Sequence, residues 1–347
     1  MVDDNHSKDA ARDTSAPTGA PTATIEADEP ADVQDKEFVG LSPMRLAMRR
    51  LRRDRVGMTS LYVMVTLITL GYLSPLLAKL YGYDSQVQAP EELDGRGIPL
   101  GVLGGVSGEH WLGVTPRLGR DVLMQLLYGV RTSVSIAIVA AIVTVAVGAI
   151  MGITAGYLRG KIDAVISWLI DFFLSFPFLI FALAAVPLFT NLILGGPGRR
   201  PLWLSASMLI LVFLVFGWMG TARLVRGQVL SLREREFIEA ARACGAGTGH
   251  IVFKQLLPNV WAQILVTFSL LVPGFIVAAA ALAFLGIGVG EPHPDLGRLG
   301  FEAVRGMRAP GGWFLLFLTG STLFTLVLSI NLFGDSLRDA LNPKSNR

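Results

Sequence analysis

An all-α polytopic membrane protein with six transmembrane helices is the fold class this sequence predicts, and three observations predict it. Hydrophobic residues make up 52% of the 347 and charged residues only 16%, with a mean hydropathy of +0.54. That is too little charge to cover the surface of a water-soluble chain of this length. The apolar residues gather in runs near or above the roughly 18 residues that cross a bilayer. The arginines stand beside the ends of those runs, where headgroups lie, not on one basic domain. The predicted spans are about 56–78, 132–157, 164–189, 202–223, 262–288 and 313–333.

Residues 1–40 are acidic and rich in Ala, Pro, Thr and Asp. They lack apolar periodicity and read as a disordered cytoplasmic tail with no signal-peptide core, since they bury too little surface to offset ordering entropy. Residues 41–55 form a basic juxtamembrane helix carrying Arg45, Arg49, Arg50, Arg52, Arg53 and Arg55. A cluster at that place favours the cytoplasmic side and contact with anionic headgroups. The membrane domain proper runs from 56 to 343. With the N-terminus inside, the 30 lysines and arginines divide 20 inside to 10 outside. This bias is the one cytoplasmic loops carry.

The second span holds Gly148, Gly152 and Gly156 at fourth-residue spacing. One helical stripe without side chains lets another helix approach at backbone distance in lipid. The third span carries Asp171 and Pro177. A carboxylate facing mid-membrane lipid costs about 2.5–3.5 kcal/mol, so Asp171 is expected to face the bundle or a wet cavity. In the long outer segment 79–131, a surface amphipathic helix and an Arg120–Asp121 pair near the headgroups are expected.

The polar stretch 231–258 between the fourth and fifth spans reads as two short helices with a hinge. Phe237, Ala240, Ala241 and Cys244 fall on one face of the first. Gly245, Gly247 and Gly249 are expected to break it, and Pro258 to end the second. An ordinary cytoplasmic loop and a docking element both satisfy this pattern.

The residue order goes further. Glu239-Ala240-Ala241, Gly245 four residues after Ala241, and Leu257-Pro258 resemble the EAA loop of ABC-importer permeases. Ala222–Gly227 (ARLVRG), His110-Trp111-Leu112-Gly113 with Leu118–Leu123 (LGRDVL), Ala281–Gly288 (ALAFLGIG) and Asn331–Asp339 (NLFGDSLRD) are similar to the oligopeptide/dipeptide/nickel branch. The resemblance covers about 41–343. It departs at Thr115-Pro116-Arg117, where the family commonly has an acidic residue. It departs again at Ser167-Trp168, where the family has Met-Arg before the aspartate.

The resemblance implies a type I importer permease in a bacterial-type cell membrane, moving peptides or, alternatively, nickel or another small solute. It implies four partners besides the bilayer: a second homologous permease, two ABC ATPase subunits and an extracytoplasmic solute-binding protein. Glu239, Ala240, Ala241, Gly245, Leu257 and Pro258 would couple to the ATPase. ATP and magnesium would sit on those partners, and no cofactor, metal or nucleic acid is expected on this chain. The residues agree: Gly160-Lys161 is followed by Ile162, so no Walker A motif is present, and GxSxG and HExxH are absent. A secondary transporter would need coupling carboxylates in broken helices, and here Asp171 stands alone. A membrane-embedded enzyme would need a nucleophile–base set, which is missing.

Both termini and Gly245 are expected inside and His110 outside. In a background lacking Cys244, a cysteine beside position 110 should react with an impermeant maleimide on intact cells, and one at 245 only after permeabilisation. Labelling beside 110 only after permeabilisation overturns the six-span topology.

Overall fold

The computed structural model describes residues 43–341 apart from 102, 195–200 and 310. The acidic tail lies outside the described residues. The described part is helical, with isolated bridges (Gln88 with Arg120, Leu93 with Pro99, Val114 with Asp121) in the segment before the longest helix.

The elements in order are α1 (Pro43–Arg53), α2 (Arg55–Tyr72), α3 (Ser74–Tyr81), α4 (Val122–Leu158), α5 (Gly160–Leu174), α6 (Phe178–Leu194) and α7 (Leu202–Leu232). Then follow α8 (Glu236–Ala243), α9 (Thr248–His250), a π-helical stretch (Ile251–Leu256), α10 (Leu257–Phe284), α11 (Leu296–Gly306) and α12 (Gly312–Leu341). Among the described residues, four helices are long and apolar enough to cross a membrane: α4, α7, the continuous helix Thr248–Phe284 and α12. The number rises to six if α2 with α3, bent by 62°, and α5 with α6, bent by 86°, each count as one span.

Both bends have a chemical cause. Pro75 sits at the start of α3 and Pro177 immediately before α6. Neither proline has an N–H to continue the preceding ladder, and at the second bend Phe176, before Pro177, leaves helical geometry. The expected single third span is therefore two helices at nearly a right angle.

Several boundaries move outward. The second span begins at Val122, because Asp121 caps it by accepting from the Met124 amide at 2.9 Å. LGRDVL is thus the start of a long buried helix, not a surface amphipathic one. Arg120 and Asp121 do not pair: Asp121 Oδ2 meets His110 Nδ1 at 2.9 Å and accepts from the Tyr81 hydroxyl at 3.1 Å. The segment after the fifth span contains α11, whose N-cap Asp295 accepts from the Gly297 amide at 2.8 Å. Burial pushes the Asp295 carboxyl above the ordinary aspartate range.

The core is a small-on-large mesh. Val134, Ala137, Ala140 and Ala141 of α4 meet Leu209 and Phe213 of α7, Phe275 and Ile276 of α10, and Leu326 and Ile330 of α12. Phe213 and Phe275 stack with centroids 4.7 Å apart and planes 12° apart.

The most extensive seam runs along α4 and α7. A Cβ at Gly148 would lie 2.6 Å from Thr221 Cβ, one at Gly152 2.6 Å from the Ala222 carbonyl oxygen, and one at Gly156 2.9 Å from Val229 Cβ. These three glycines let the backbone of α4 rest on α7 over two turns. At Gly152 the obstacle is backbone, which cannot rotate away. Gly152→Leu should cost at least about 1–3 kcal/mol and lower the melting temperature and yield in detergent. Gly220→Ala, on α7 with open space at its Cβ, should be close to neutral. Equal melting of the two variants contradicts the seam.

Candidate functional site: the α7–α10 connection

The connection between α7 and the Thr248–Phe284 helix is largely exposed and is held by one row of buried anchors. Ile238 of α8 is 0% exposed, Ile251 1% and Leu256 0%. They cluster with Ile153 of α4 and Val225 and Val229 of α7. Ile238 therefore pins α8 beneath the ends of α4 and α7 by apolar burial. The face carrying Phe237, Ala240 and Cys244 turns outward, with Ala241 half-buried at its edge. An apolar helical face of small residues lies open to solvent or to another protein.

The turn after α8 is a Schellman stop. The Ala246 amide donates to the Ala241 carbonyl at 3.0 Å and the Gly245 amide to the Arg242 carbonyl at 2.9 Å. Gly245 has φ +82°, a left-handed conformation in which a Cβ is strained. Of the three glycines expected to break the helix, only Gly245 takes that role. Gly247 is extended, with φ −71° and ψ 163°, and Gly249 lies inside α9.

Pro258 does not end a helix. It stands at the start of α10, and helix continues from Thr248 to Phe284. Its ring and missing N–H are accommodated by the preceding π-helical stretch Ile251–Leu256, which loosens the ladder where the proline would otherwise clash. The Asn259 side-chain nitrogen donates to the Gln255 carbonyl one turn back at 2.6 Å. Leu257, half-buried, packs on the cluster that holds Ile238.

The groups that fix the shape of the connection lie just outside the EAA residues. Arg233 donates through Nη1 to the carbonyls of Tyr157 at 3.0 Å and Gly156 at 3.4 Å. These are carbonyls of the last turn of α4, which a cation complements. Arg159 Nη2 meets Glu234 Oε1 at 2.7 Å, and the Arg242 guanidinium stands 5.5 Å over the Tyr157 ring. Glu239 makes no side-chain ion pair or hydrogen bond among the described residues, so its carboxylate does not hold the loop's shape here. A sequence signal for Arg233 exists in hindsight: it is the first residue after α7, where a long cation reaches back to a neighbouring helix end.

Two ion pairs tie α5 to α7. Asp163 receives Arg226 in a fork, Nε to Oδ1 at 2.5 Å and Nη2 to Oδ2 at 2.8 Å. Asp171 meets Arg223 at 2.5 Å, with side chains 70% and 54% exposed respectively. Asp171 thus lies on the surface of the single chain, not inside the helical bundle. With Ser167-Trp168 in place of an in-helix arginine, the partner comes from the neighbouring helix. Arg223 and Arg226 are one turn apart, which brings both to the α5 side.

The comparisons agree with this architecture. Residues 145–347 match the family model described as binding-protein-dependent transport system inner membrane component. Residues 42–93 match that of the N-terminal TM domain of oligopeptide transport permease C. The chain is 32% identical to the dipeptide transport system permease protein DppC of Bacillus subtilis, over 88% of this chain and 88% of that one. It is 37% identical to the oligopeptide transport system permease protein OppC of Escherichia coli, over 89% and 93%. To the OppC of Mycobacterium tuberculosis it is 35% identical, over 86% and 94%. A solved inward-facing MetNI methionine ABC transporter superposes with a TM-score of 0.50 at 23% identity, over 63% of this chain and 97% of that chain. At that identity the likeness concerns the fold alone.

If Arg233 clamps the connection to α4, Arg233→Ala should speed amide hydrogen exchange across Glu236–Ala243 several-fold and leave the middle of α4 unchanged. Unaltered exchange in α8 would show that Ile238 alone suffices. The motifs, the helical architecture and the relatives converge: the chain belongs to the binding-protein-dependent transport inner membrane components, as a permease of the ABC-importer type beside OppC and DppC.

Proposed function

We propose that this permease imports peptides, that it forms half of a translocation path with a second homologous permease, and that α8 is the element through which separate ATPase subunits drive it. The peptide class is supported by the names of the relatives, dipeptide and oligopeptide permeases at 32–37% identity. In this reading ATP and magnesium are bound by two ATPase partners, an extracytoplasmic binding protein delivers the solute, and both termini face the cytoplasm.

The observation that carries the coupling role is the contrast within α8: Ile238 wholly buried, and Phe237, Ala240 and Cys244 exposed. A helix held by one side and bare on the other can receive a force without unfolding. A push on the bare face passes through Ile238 and the Arg233 clamp to the ends of α4 and α7. Those two helices are in backbone contact along the glycine seam, so the displacement travels as rigid-body rocking, not as bending. Ala240 and Ala241 are small enough to seat in a groove, Gly245 sets the turn, and Glu239 is available to an arginine of the ATPase through a charge-assisted hydrogen bond. The continuous helix leaving Leu257 and Pro258 carries the same motion into α10. The exposed Asp171–Arg223 pair, inside an apolar segment, is assigned to the surface facing the second permease or the water-filled path, since lipid would penalise it.

Ala241→Trp and Gly245→Val test the coupling role. The first adds bulk at the docking edge, and the second places a β-branched residue at φ +82°, at a cost of about 1–2 kcal/mol. Both variants should insert, reach normal levels and retain binding of the solute-loaded external protein. Both should lose either ATPase copurification or solute-stimulated hydrolysis. Normal uptake with normal copurification in both removes the coupling assignment.

A further inference from the structure

A cavity of about 820 Å³ opens between α11 and the two loops around Gly97 and Arg117. This is the place where the sequence departs from its family at Thr115-Pro116-Arg117. Gly306 of α11 meets Pro116 directly, with a Cβ there only 3.0 Å from the proline ring, and Arg117 is held at φ +70° by its amide's hydrogen bond to the Gly97 carbonyl at 2.8 Å. The departure therefore builds a wall of the cavity.

The lining is charged and lopsided. It contains Arg96, Arg117, Arg298 and Arg305 against Glu291 and Glu302. Burial pushes the Glu302 carboxyl above the ordinary glutamate range, against the pull of Arg298. Four arginines against two glutamates leave the excess positive.

Arg298 is the centre of this excess. Its side chain is only 15% exposed, and its closest carboxylate oxygens, on Glu291 and Glu302, both lie 3.6 Å away. That is beyond hydrogen-bond range, and Arg298 Nε and Nη1 are buried without a hydrogen-bond acceptor. A buried cation whose hydrogen bonds are incompletely made is costly, and Arg298 lines the cavity with the exposed 15% of its side chain, so an anionic group there would meet its charge. Ile98, Leu118 and Phe301 give the same cavity an apolar side. Its volume is that of a small-molecule site.

We propose that this cavity is a binding site for a single oxyanion group, held by Arg298 with Arg96 and Arg117 at the mouth and with the apolar body of the ligand against Phe301. A carboxylate on a small solute and the phosphate of a lipid headgroup share this chemistry. The cavity is distinct from the α7–α10 connection. Its assignment to the extracytoplasmic side rests on the orientation proposed above; oxyanion binding is read on the purified chain and stands or falls without it.

Two arms test the site and tell the sources apart. In phospholipid-free detergent, the full chain is titrated with trialanine and with trialaninamide by calorimetry. Separately, retention of phosphatidylglycerol on the chain is counted by native mass spectrometry. Trialanine should bind at least tenfold more tightly than its amide if a solute is the ligand, and phosphatidylglycerol should be retained if a headgroup is. In whichever arm binds, Arg298→Gln should weaken binding at least tenfold. Arg96→Gln/Arg117→Gln, two exposed positions that leave folding intact, should weaken it at least threefold. Binding in neither arm, or binding that both variants leave unchanged, overturns the proposal.

Discussion

The backbone contact between α4 and α7 is the constraint on which the remaining structure depends. Lipid tails are as apolar as leucine, so no hydrophobic gain drives one spanning helix onto another, and close packing has to do it. Gly148, Gly152 and Gly156 supply that closeness, with α7 backbone and β-carbons at distances a side chain would occupy. Once the two helices are fixed, Phe213 of α7 is placed to stack on Phe275 of α10, and α10 brings in α12 through the common core. The same seam fixes where the ends of α4 and α7 stand, and so where the connection below them can hang.

That connection has a pinned side and a bare side. The pin is apolar, through Ile238, and polar, through Arg233 on the last carbonyls of α4. The two act differently: burial resists withdrawal in any direction, whereas the carbonyl hydrogen bonds fix rotation about the helix ends. Gly245 turns the chain without a side chain in the way, and the π-helical stretch lets Pro258 enter a helix that goes on without a stop. The loop is mechanically continuous with α10, a property that a flexible tether would lack.

Electrostatics in this chain is divided by depth. The Asp163–Arg226 fork and the Asp171–Arg223 pair lie between α5 and α7 and hold the bent α5–α6 unit to the rigid seam. At the other end, Asp121 joins His110 and Tyr81 in one hydrogen-bonded knot that fixes the loop before α4 against its first turn. Close by, α11 carries the arginine-rich cavity.

Much of this was determined by the sequence itself. Long apolar runs dictate helices that satisfy their own backbone, arginine placement dictates depth, and fourth-residue glycines mark a packing face, because each depends on local spacing alone. The glycine stop at Gly245 was legible for the same reason. What the tertiary structure decided is everything that needs a partner from far along the chain. Pro258 looks like a terminator until a π-helical stretch makes room for it, and Pro177, inside an apolar run, marks a weak point in the helix but does not show that the chain turns by 86° there. Asp171 and Arg223 stand 52 residues apart, and Arg233 reaches carbonyls 76 and 77 residues earlier. Such pairs are set by which helices pack together, and helix pairing depends on the summed fit of whole faces, which no single stretch of sequence contains.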